Sequence, residues 1–235
     1  MRIRAGGIPA NGFLQLLDMN GMRDNVFFVS GIDTNVGKSY ATGWIAKEWN
    51  GRGISTITQK LVQTGNDGFS EDIELHRKIM GCGMLDVDRQ GLTMPEIYTY
   101  PCSPHLAAEI DRRPVDFARI EAATRALSGK YDAVLLEGAG GLMVPLTRNL
   151  LTIDYVREKG YPLIFVTSGR LGSISHTLLG LEAVKRRGIT LKALVFNMFP
   201  LEEDRTISDD TQGYFKDFLA SEFPQAEYLT VPVLE

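Results

Sequence analysis

The sequence predicts an α/β protein, a single doubly wound domain with a mostly parallel central sheet. Three observations carry that expectation. Short runs rich in β-branched and aromatic residues alternate with longer amphipathic stretches, as in βα units that close a parallel sheet. Several of the short runs are apolar almost throughout, as strands covered on both faces must be. The chain has 235 residues, 44% of them hydrophobic and 23% charged, and contains no repeat, low-complexity tract or Pro/Gly linker that would divide one core into two.

Taken in order, residues 1–21 contain only GFLQLLDM as an apolar stretch, too short and interrupted for a signal-peptide core. They are expected to form a disordered extension before a domain spanning 22–235. The first strand is expected at Val26–Ser30 and a helix at Lys38–Trp49, where Trp44 and Trp49 read as packing residues. A strand at Ile54–Gln59 and helices at Glu71–Met80 and Pro114–Leu127 follow. Between those helices, Ser103 and Pro104 read as a serine cap and a helix-opening proline. The remaining strands are expected at Ala133–Glu137, Leu163–Ser168, Ala193–Asn197 and Tyr228–Val233. Helices at Thr152–Lys159, Ser173–Arg187 and Ser208–Phe223 separate them, with Gly188 as a terminator.

Composition excludes several functions. A net charge of -4 without a Lys/Arg cluster argues against nucleic-acid binding. No apolar run reaches the roughly 18 residues of a membrane span, so no membrane role is expected. Cys82 and Cys102 lack metal spacing and make a poor disulfide framework, which points to a reducing, cytoplasmic setting. His76, His105 and His176 also lack metal-ligand spacing, and none is assigned to catalysis.

In open α/β sheets ligands bind beyond the carboxyl ends of the strands. The first strand runs into Gly31-Ile32-Asp33-Thr34-Asn35-Val36-Gly37-Lys38-Ser39 and then a helix beginning with Tyr40. Such a loop turns successive N–H groups onto phosphate oxygens, with Lys38 reaching the β/γ-phosphates and the Ser39 hydroxyl a Mg²⁺ ion. This makes the fold a P-loop NTPase type. Five residues separate Gly31 from Gly37, one more than in the GxxxxGK[ST] pattern. A GxGxxG fingerprint is absent from this turn, which excludes the usual nicotinamide dehydrogenase.

Ala133–Glu137 ends in a carboxylate followed by Gly138-Ala139-Gly140-Gly141, and an acid so placed can hold Mg²⁺ while the glycines leave room for a ligand. Lys60 would stand beside the phosphate loop if the first and second strands were neighbours, and would otherwise read as a surface lysine. Asp72, at a helix start, reads on the residues alone as a capping or dipole residue. Gly172-Ser173-Ile174-Ser175 opens another helix, where free N–H groups would receive a carboxylate or Ser173 would simply cap.

In this order and spacing, GIDTNVGKS, QKLVQTG, CSPHLAAE, LLEGAGGLMVPL and RLGSISHTLLG resemble the dethiobiotin synthetase family across residues 24–234. The five-residue gap is that family's spacing, and EGAGG after a buried strand is the most specific element. The resemblance implies a homodimer that converts 7,8-diaminopelargonic acid, CO₂ (or bicarbonate) and ATP into dethiobiotin, ADP and phosphate. The route runs through a carbamate and a carbamic-phosphoric anhydride. By position, Lys38, Lys60 and Thr34 match catalytic residues, and Ser39, Asp72 and Glu137 match Mg²⁺ ligands. Gly31, Asn35, Val36, Gly37, Lys38, Ser39, Tyr40, Glu137, Gly138, Asn197 and Pro232 match the nucleotide site, with Asn197 at the adenine. Thr34, Lys60, Thr64, Gly172, Ser173 and Ile174 match the substrate site, the last three reaching it from the partner subunit.

Asn35, Leu61 and Arg170 depart from an acid, a proline and a lysine common in the family. Two other P-loop classes compete. A partitioning-type ATPase usually carries an extra lysine early in the loop, which positions 32–36 lack, and an amidoligase needs a glutamine-hydrolysing domain for which the chain has no room.

Overall fold

The computed structural model describes residues 25–199 and 205–233, so the expected extension over residues 1–21 lies outside it. The main strands are β1 (Val26–Gly31), β2 (Thr56–Lys60), β5 (Ala133–Gly141), β8 (Leu163–Ser168), β9 (Leu191–Asn197) and β10 (Glu227–Val231). They form one six-stranded sheet in the order β10-β9-β8-β1-β5-β2, parallel at every pairing. The helices are α1 (Lys38–Gly51), α2 (Glu71–Met80), α3 (Asp86–Arg89), α4 (Pro104–Ile110), α5 (Phe117–Ser128), α6 (Thr152–Lys159), α7 (Ser173–Arg186) and α8 (Arg205–Glu222). Two short ribbons complete the described fold: β3 (Gln63–Thr64) parallel to β4 (Ile97–Tyr98), and β6 (Pro145–Thr147) antiparallel to β7 (Leu150–Leu151). Among the described residues no helix is long and apolar enough to cross a membrane.

Strand alternation sorts the core into two layers. Phe27, Val29, Leu135, Ile164 and Val166 pack on one face with Ala41, Ile45 and Trp49 of α1. Phe28, Val134, Leu136, Phe165 and Phe196 pack on the other with Ile120 and Leu127 of α5 and Leu181 of α7. The Trp49 ring meets Phe27 edge-on at 5.4 Å, and Trp44 packs partly buried on the same layer, as their packing reading anticipated.

The structure revises several local expectations. β1 and β2 are not neighbours, because β5 lies between them: Val29 and Lys60 both pair with Glu137, from opposite sides. The lysine therefore meets the site across β5. α5 starts at Phe117 rather than Pro114 because the Asp116 carboxylate accepts from the Arg119 N–H at 3.0 Å and caps there. α4 does open at Pro104, but the Ser103 hydroxyl makes no cap bond and pairs with His105 Nδ1 at 3.0 Å. β5 continues through the glycines to Gly141.

Helix α2 is fixed at both ends. Ser70 accepts from the Ile73 N–H at 3.2 Å and donates to Gln63 Oε1 at 2.6 Å. Near the other end, Arg77 grips Asp88 through Nε at 2.9 Å and Nη2 at 2.8 Å, and also donates to Thr58 Oγ1 at 2.8 Å. Arg77 and Asp88 are 2% and 1% exposed, so the pair is fully desolvated. Asp88→Ala should therefore strand a buried guanidinium and cost about 3–5 kcal/mol. For a chain of this size the melting temperature should fall by on the order of 10 °C. Arg77→Met combined with Asp88→Leu should lose much less in thermal denaturation, and an equal loss would mean that packing rather than charge compensation is at stake.

Candidate active site

The loops after β1, β2 and β9, the glycine-rich second half of β5 and Pro232 after β10 surround a cavity of about 620 Å³ at the carboxyl ends of the strands. Its floor is the phosphate loop. Gly37 holds φ 87° at the start of α1, and a side chain there would also strike Asn197, with a Cβ only 2.1 Å from Nδ2. At Gly31 a Cβ would come within 2.5 Å of Val36 Cγ1, so Gly31 lets the loop close over the buried Val36. Asn197 ties the last main strands to this loop: Nδ2 donates to the Val36 carbonyl at 3.0 Å, and Oδ1 accepts from the Phe199 N–H at 3.2 Å. Lys38 is 4% exposed and donates to the carbonyls of Asp33 at 2.7 Å and Thr34 at 3.1 Å. Burial, and then the Lys60 charge, push the Lys38 ammonium down to about 8. At the rim, the Arg170 guanidinium pairs with Asp33 and holds that carboxyl below the usual range.

Above the start of α1, three oxygen donors converge. Ser39 Oγ lies 2.6 Å from Asp72 Oδ1 and 2.9 Å from Glu137 Oε1, one hydroxyl proton between two carboxylates. Lys60 Nζ reaches Asp72 Oδ2 at 2.6 Å, Glu137 Oε1 at 2.7 Å and the Gly138 carbonyl at 3.2 Å, which uses all three of its protons. His76 Nε2 lies 2.9 Å from Glu137 Oε2. Burial alone would raise the Glu137 carboxyl, but Lys60 and His76 outweigh it and hold the group well below the ordinary carboxylate range. Burial likewise opposes the Lys60 ammonium, yet Glu137 and Asp72 hold its pKa above that of a free lysine. Hard, convergent oxygens of this kind suit Mg²⁺, so the donor set fits that ion.

Of the residues singled out in the sequence, Thr34, Asn35, Gly37, Lys38, Ser39, Tyr40, Lys60, Thr64, Asp72, Glu137, Asn197 and Pro232 border this cavity. Gly31, Val36 and Gly138 lie behind it, and at Gly138 a Cβ would come within 2.9 Å of the Phe28 ring. Asp72 is not the cap of α2, since Ser70 fills that role, and its carboxylate is spent on Ser39 and Lys60. Gly172, Ser173 and Ile174 are not brought to the cavity. The cap of α7 is Gly172, without a side-chain bond, and the buried Ser173 hydroxyl meets Ser168 at 3.2 Å instead of capping. Sequence reasoning missed Phe199, which borders the cavity near Pro232, and His76 beneath Glu137. The spacing of Asp72 and His76, four residues apart on one helix, was the available signal.

A strand, a glycine loop carrying Lys38 and Ser39, and a helix, with a buried acid midway along the adjacent parallel strand, define a P-loop nucleotide-binding protein. The AAA_26 family, described as an AAA domain, matches residues 25–233. The chain is 48% identical to the ATP-dependent dethiobiotin synthetase BioD 2 of Pasteurella multocida, covering 85% of this chain and 93% of that one. It is 46% identical to the ATP-dependent dethiobiotin synthetase BioD of Chlorobaculum tepidum, covering 91% and 87%. The chain belongs to the ATP-dependent dethiobiotin synthetase family. Among solved structures, a putative plasmid partition protein of Borrelia burgdorferi bound to AMPPNP superposes with TM-score 0.53 at 12% identity, over 90% of this chain and 87% of that one. That likeness is one of fold.

The depressed Lys38 has a readable consequence. Because its folded pKa of about 8 lies below the ordinary lysine value of 10.5, burial penalises the charged form in full below pH 8. The penalty is relieved as pH rises from 8 toward 10.5, so this group makes the ligand-free protein more stable across that window. A phosphate placed on Lys38 restores the charge. ATP binding at pH 8 should therefore take up roughly half a proton, and almost none at pH 6.5. Calorimetry in buffers of different ionisation enthalpy measures this, and equal uptake at both pH values would contradict the burial of an ionisable Lys38.

Proposed function

We propose that this protein closes 7,8-diaminopelargonic acid and CO₂ into dethiobiotin at the expense of ATP, releasing ADP and phosphate. The observation that carries the proposal is the convergence, in one cavity, of Lys38, a second buried lysine, Lys60, and the Ser39–Asp72–Glu137 oxygen cluster. It occurs in a chain whose relatives are named for this reaction.

An amine adds to CO₂ unaided, but the carbamate is a poor electrophile until its oxygen is phosphorylated. The carbamate oxygen takes the γ-phosphoryl group and ADP leaves. The second amine then attacks the carbamic-phosphoric anhydride, forms the ring and expels phosphate. Lys38 and Lys60 are fixed cations on which the charge spreading over the γ-phosphoryl oxygens is stabilised. Lys60 is held by three acceptors and must release at least one to reach a phosphate. Ser39, Asp72 and Glu137 would hold Mg²⁺, which supplies charge neutralisation at the β- and γ-phosphates. Thr34, Thr64, Asn197, Pro232 and Tyr40 all border the cavity; in this reading the two threonines face the amines and the other three the nucleoside. Both amines belong to one substrate, so ring closure is intramolecular and positioning supplies much of the rate.

In this reading residues 22–235 form one catalytic domain that works as a homodimer in the cytoplasm. The start of α7 serves the partner's site: the Ser173 N–H is spent on the Arg170 carbonyl at 3.0 Å, but the amides that follow it in the first turn have no acceptor within the helix, and Gly172 and Ile174 are exposed, as a surface that receives a substrate carboxylate from another subunit requires.

The test is incubation with MgATP, bicarbonate and the diamine, following dethiobiotin by mass spectrometry and phosphate release together. Both products should appear in equal amounts and both should require the diamine. Lys38→Ala should lower kcat by at least about 10²- to 10³-fold with an unchanged circular dichroism spectrum. Phosphate release independent of the diamine would point to a nucleotide switch, and full activity in Lys38→Ala would remove the phosphate loop from the reaction.

A further inference from the structure

His76 is fully buried, stands outside any catalytic motif and is directed at the carboxylate on which the proposed metal site depends. Glu137 offers two oxygens. Oε1 faces the cavity side, where Ser39 and Lys60 bond it, and Oε2 faces His76 Nε2 at 2.9 Å. The other ring nitrogen, Nδ1, is buried with no hydrogen-bond partner among the described residues. A hydrogen on Nδ1 would be an unmet buried donor, so the tautomer that fits carries its hydrogen on Nε2 and donates to Oε2.

Holding the helix does not require this ring. The Ser70 cap and the bidentate Arg77–Asp88 pair already anchor α2, and an apolar side chain would fill the same volume without burying an unpaired nitrogen. What the ring adds is direction. Gly43 of α1 allows the close approach that delivers it, since a Cβ there would come within 3.2 Å of the His76 backbone. The same helix thus presents Asp72 to Ser39 and, one turn later, His76 to the far side of Glu137.

We infer that His76 is a positioning residue that pins Oε2 of Glu137 and so reserves Oε1 for Ser39 and the bound cation. The inference rests on the metal role proposed above for Ser39, Asp72 and Glu137. Without the Nε2–H donor the carboxylate is held only through Oε1, by Ser39 and Lys60, and once a cation and a phosphate draw on those two groups nothing fixes its rotation about its last bond. Outer-shell donors that orient a metal-binding group typically change metal affinity by about 10- to 100-fold when removed.

The test measures Mn²⁺ binding to the protein saturated with the β,γ-imido analogue of ATP, from the electron paramagnetic resonance of free Mn²⁺. His76→Leu should weaken Mn²⁺ binding by about 10- to 100-fold, and His76→Gln, which keeps an N–H donor of similar reach, should restore most of it. In turnover, the Mg²⁺ activation constant should rise in the leucine variant while KM for the diamine stays constant. Should His76→Leu fail to fold, His76→Asn, too short to reach Oε2, takes its place. Ser39→Ala is the reference. If Ser39→Ala weakens Mn²⁺ binding and His76→Leu does not, the inference is overturned and the metal site stands. If Ser39→Ala also leaves binding unchanged, the metal site falls and the inference with it.

Discussion

A carboxylate with no exposure within a central strand costs several kcal/mol unless opposite charge and hydrogen bonds compensate it. Glu137 is in that position, and its compensation comes from three directions. Lys60 arrives from β2, on the side of β5 away from the phosphate loop, Ser39 from the first turn of α1, and His76 from α2. Each donor constrains the element that carries it. β5 must lie between β1 and β2, α2 must approach α1 at Gly43, and β2 must end level with Glu137. The packing of these elements and the chemistry of the cavity therefore share one electrostatic requirement.

The same arrangement places the charges a phosphoryl transfer needs before any substrate enters. Lys38 and Lys60 are both buried, and each lowers the other's preference for charge. Lys60 sits between two carboxylates and stays charged, whereas Lys38 has only loop carbonyls as direct partners among the described residues, and burial pushes its ammonium down to about 8. Preorganised charge in a desolvated site acts without reorganisation at the moment of reaction. Asn197 carries this order to the far end of the site, since one amide group holds both the phosphate loop and the backbone leading to Phe199. A shift of Asn197 would thereby be felt at Gly37.

Much of the fold was legible because the signals were local. Leu163–Ser168, Thr152–Lys159 and Glu71–Met80 coincide with expectation, each marked by an unbroken apolar run or an amphipathic stretch with defined ends. Strand order was not legible. Parallel strands buried on both faces look alike in sequence, so nothing in TITQK announced that β5 would separate it from β1. Two-residue strands such as Gln63–Thr64 are too short to carry a period. In the site, the residues of the glycine loop and the EGAGG strand end could be read from chemistry and spacing. His76 offered only its four-residue spacing from Asp72, a signal that acquires meaning once α2 is seen to face Glu137. Ser173 was misread as a candidate cap for the converse reason: its hydroxyl has a buried partner, Ser168, that local sequence does not reveal.

On the function proposed above, Ser39, Asp72 and Glu137 form one cation site, which Lys60 shares through its charge. A crystal structure with Mg²⁺ and the β,γ-imido analogue of ATP tests it most directly. Mg²⁺ should lie about 2.1 Å from Ser39 Oγ, with Asp72 and Glu137 bound to it directly or through water, and Lys60 should turn toward the γ-phosphate. Mg²⁺ held elsewhere, with Lys60 still bonded to both carboxylates, would contradict it.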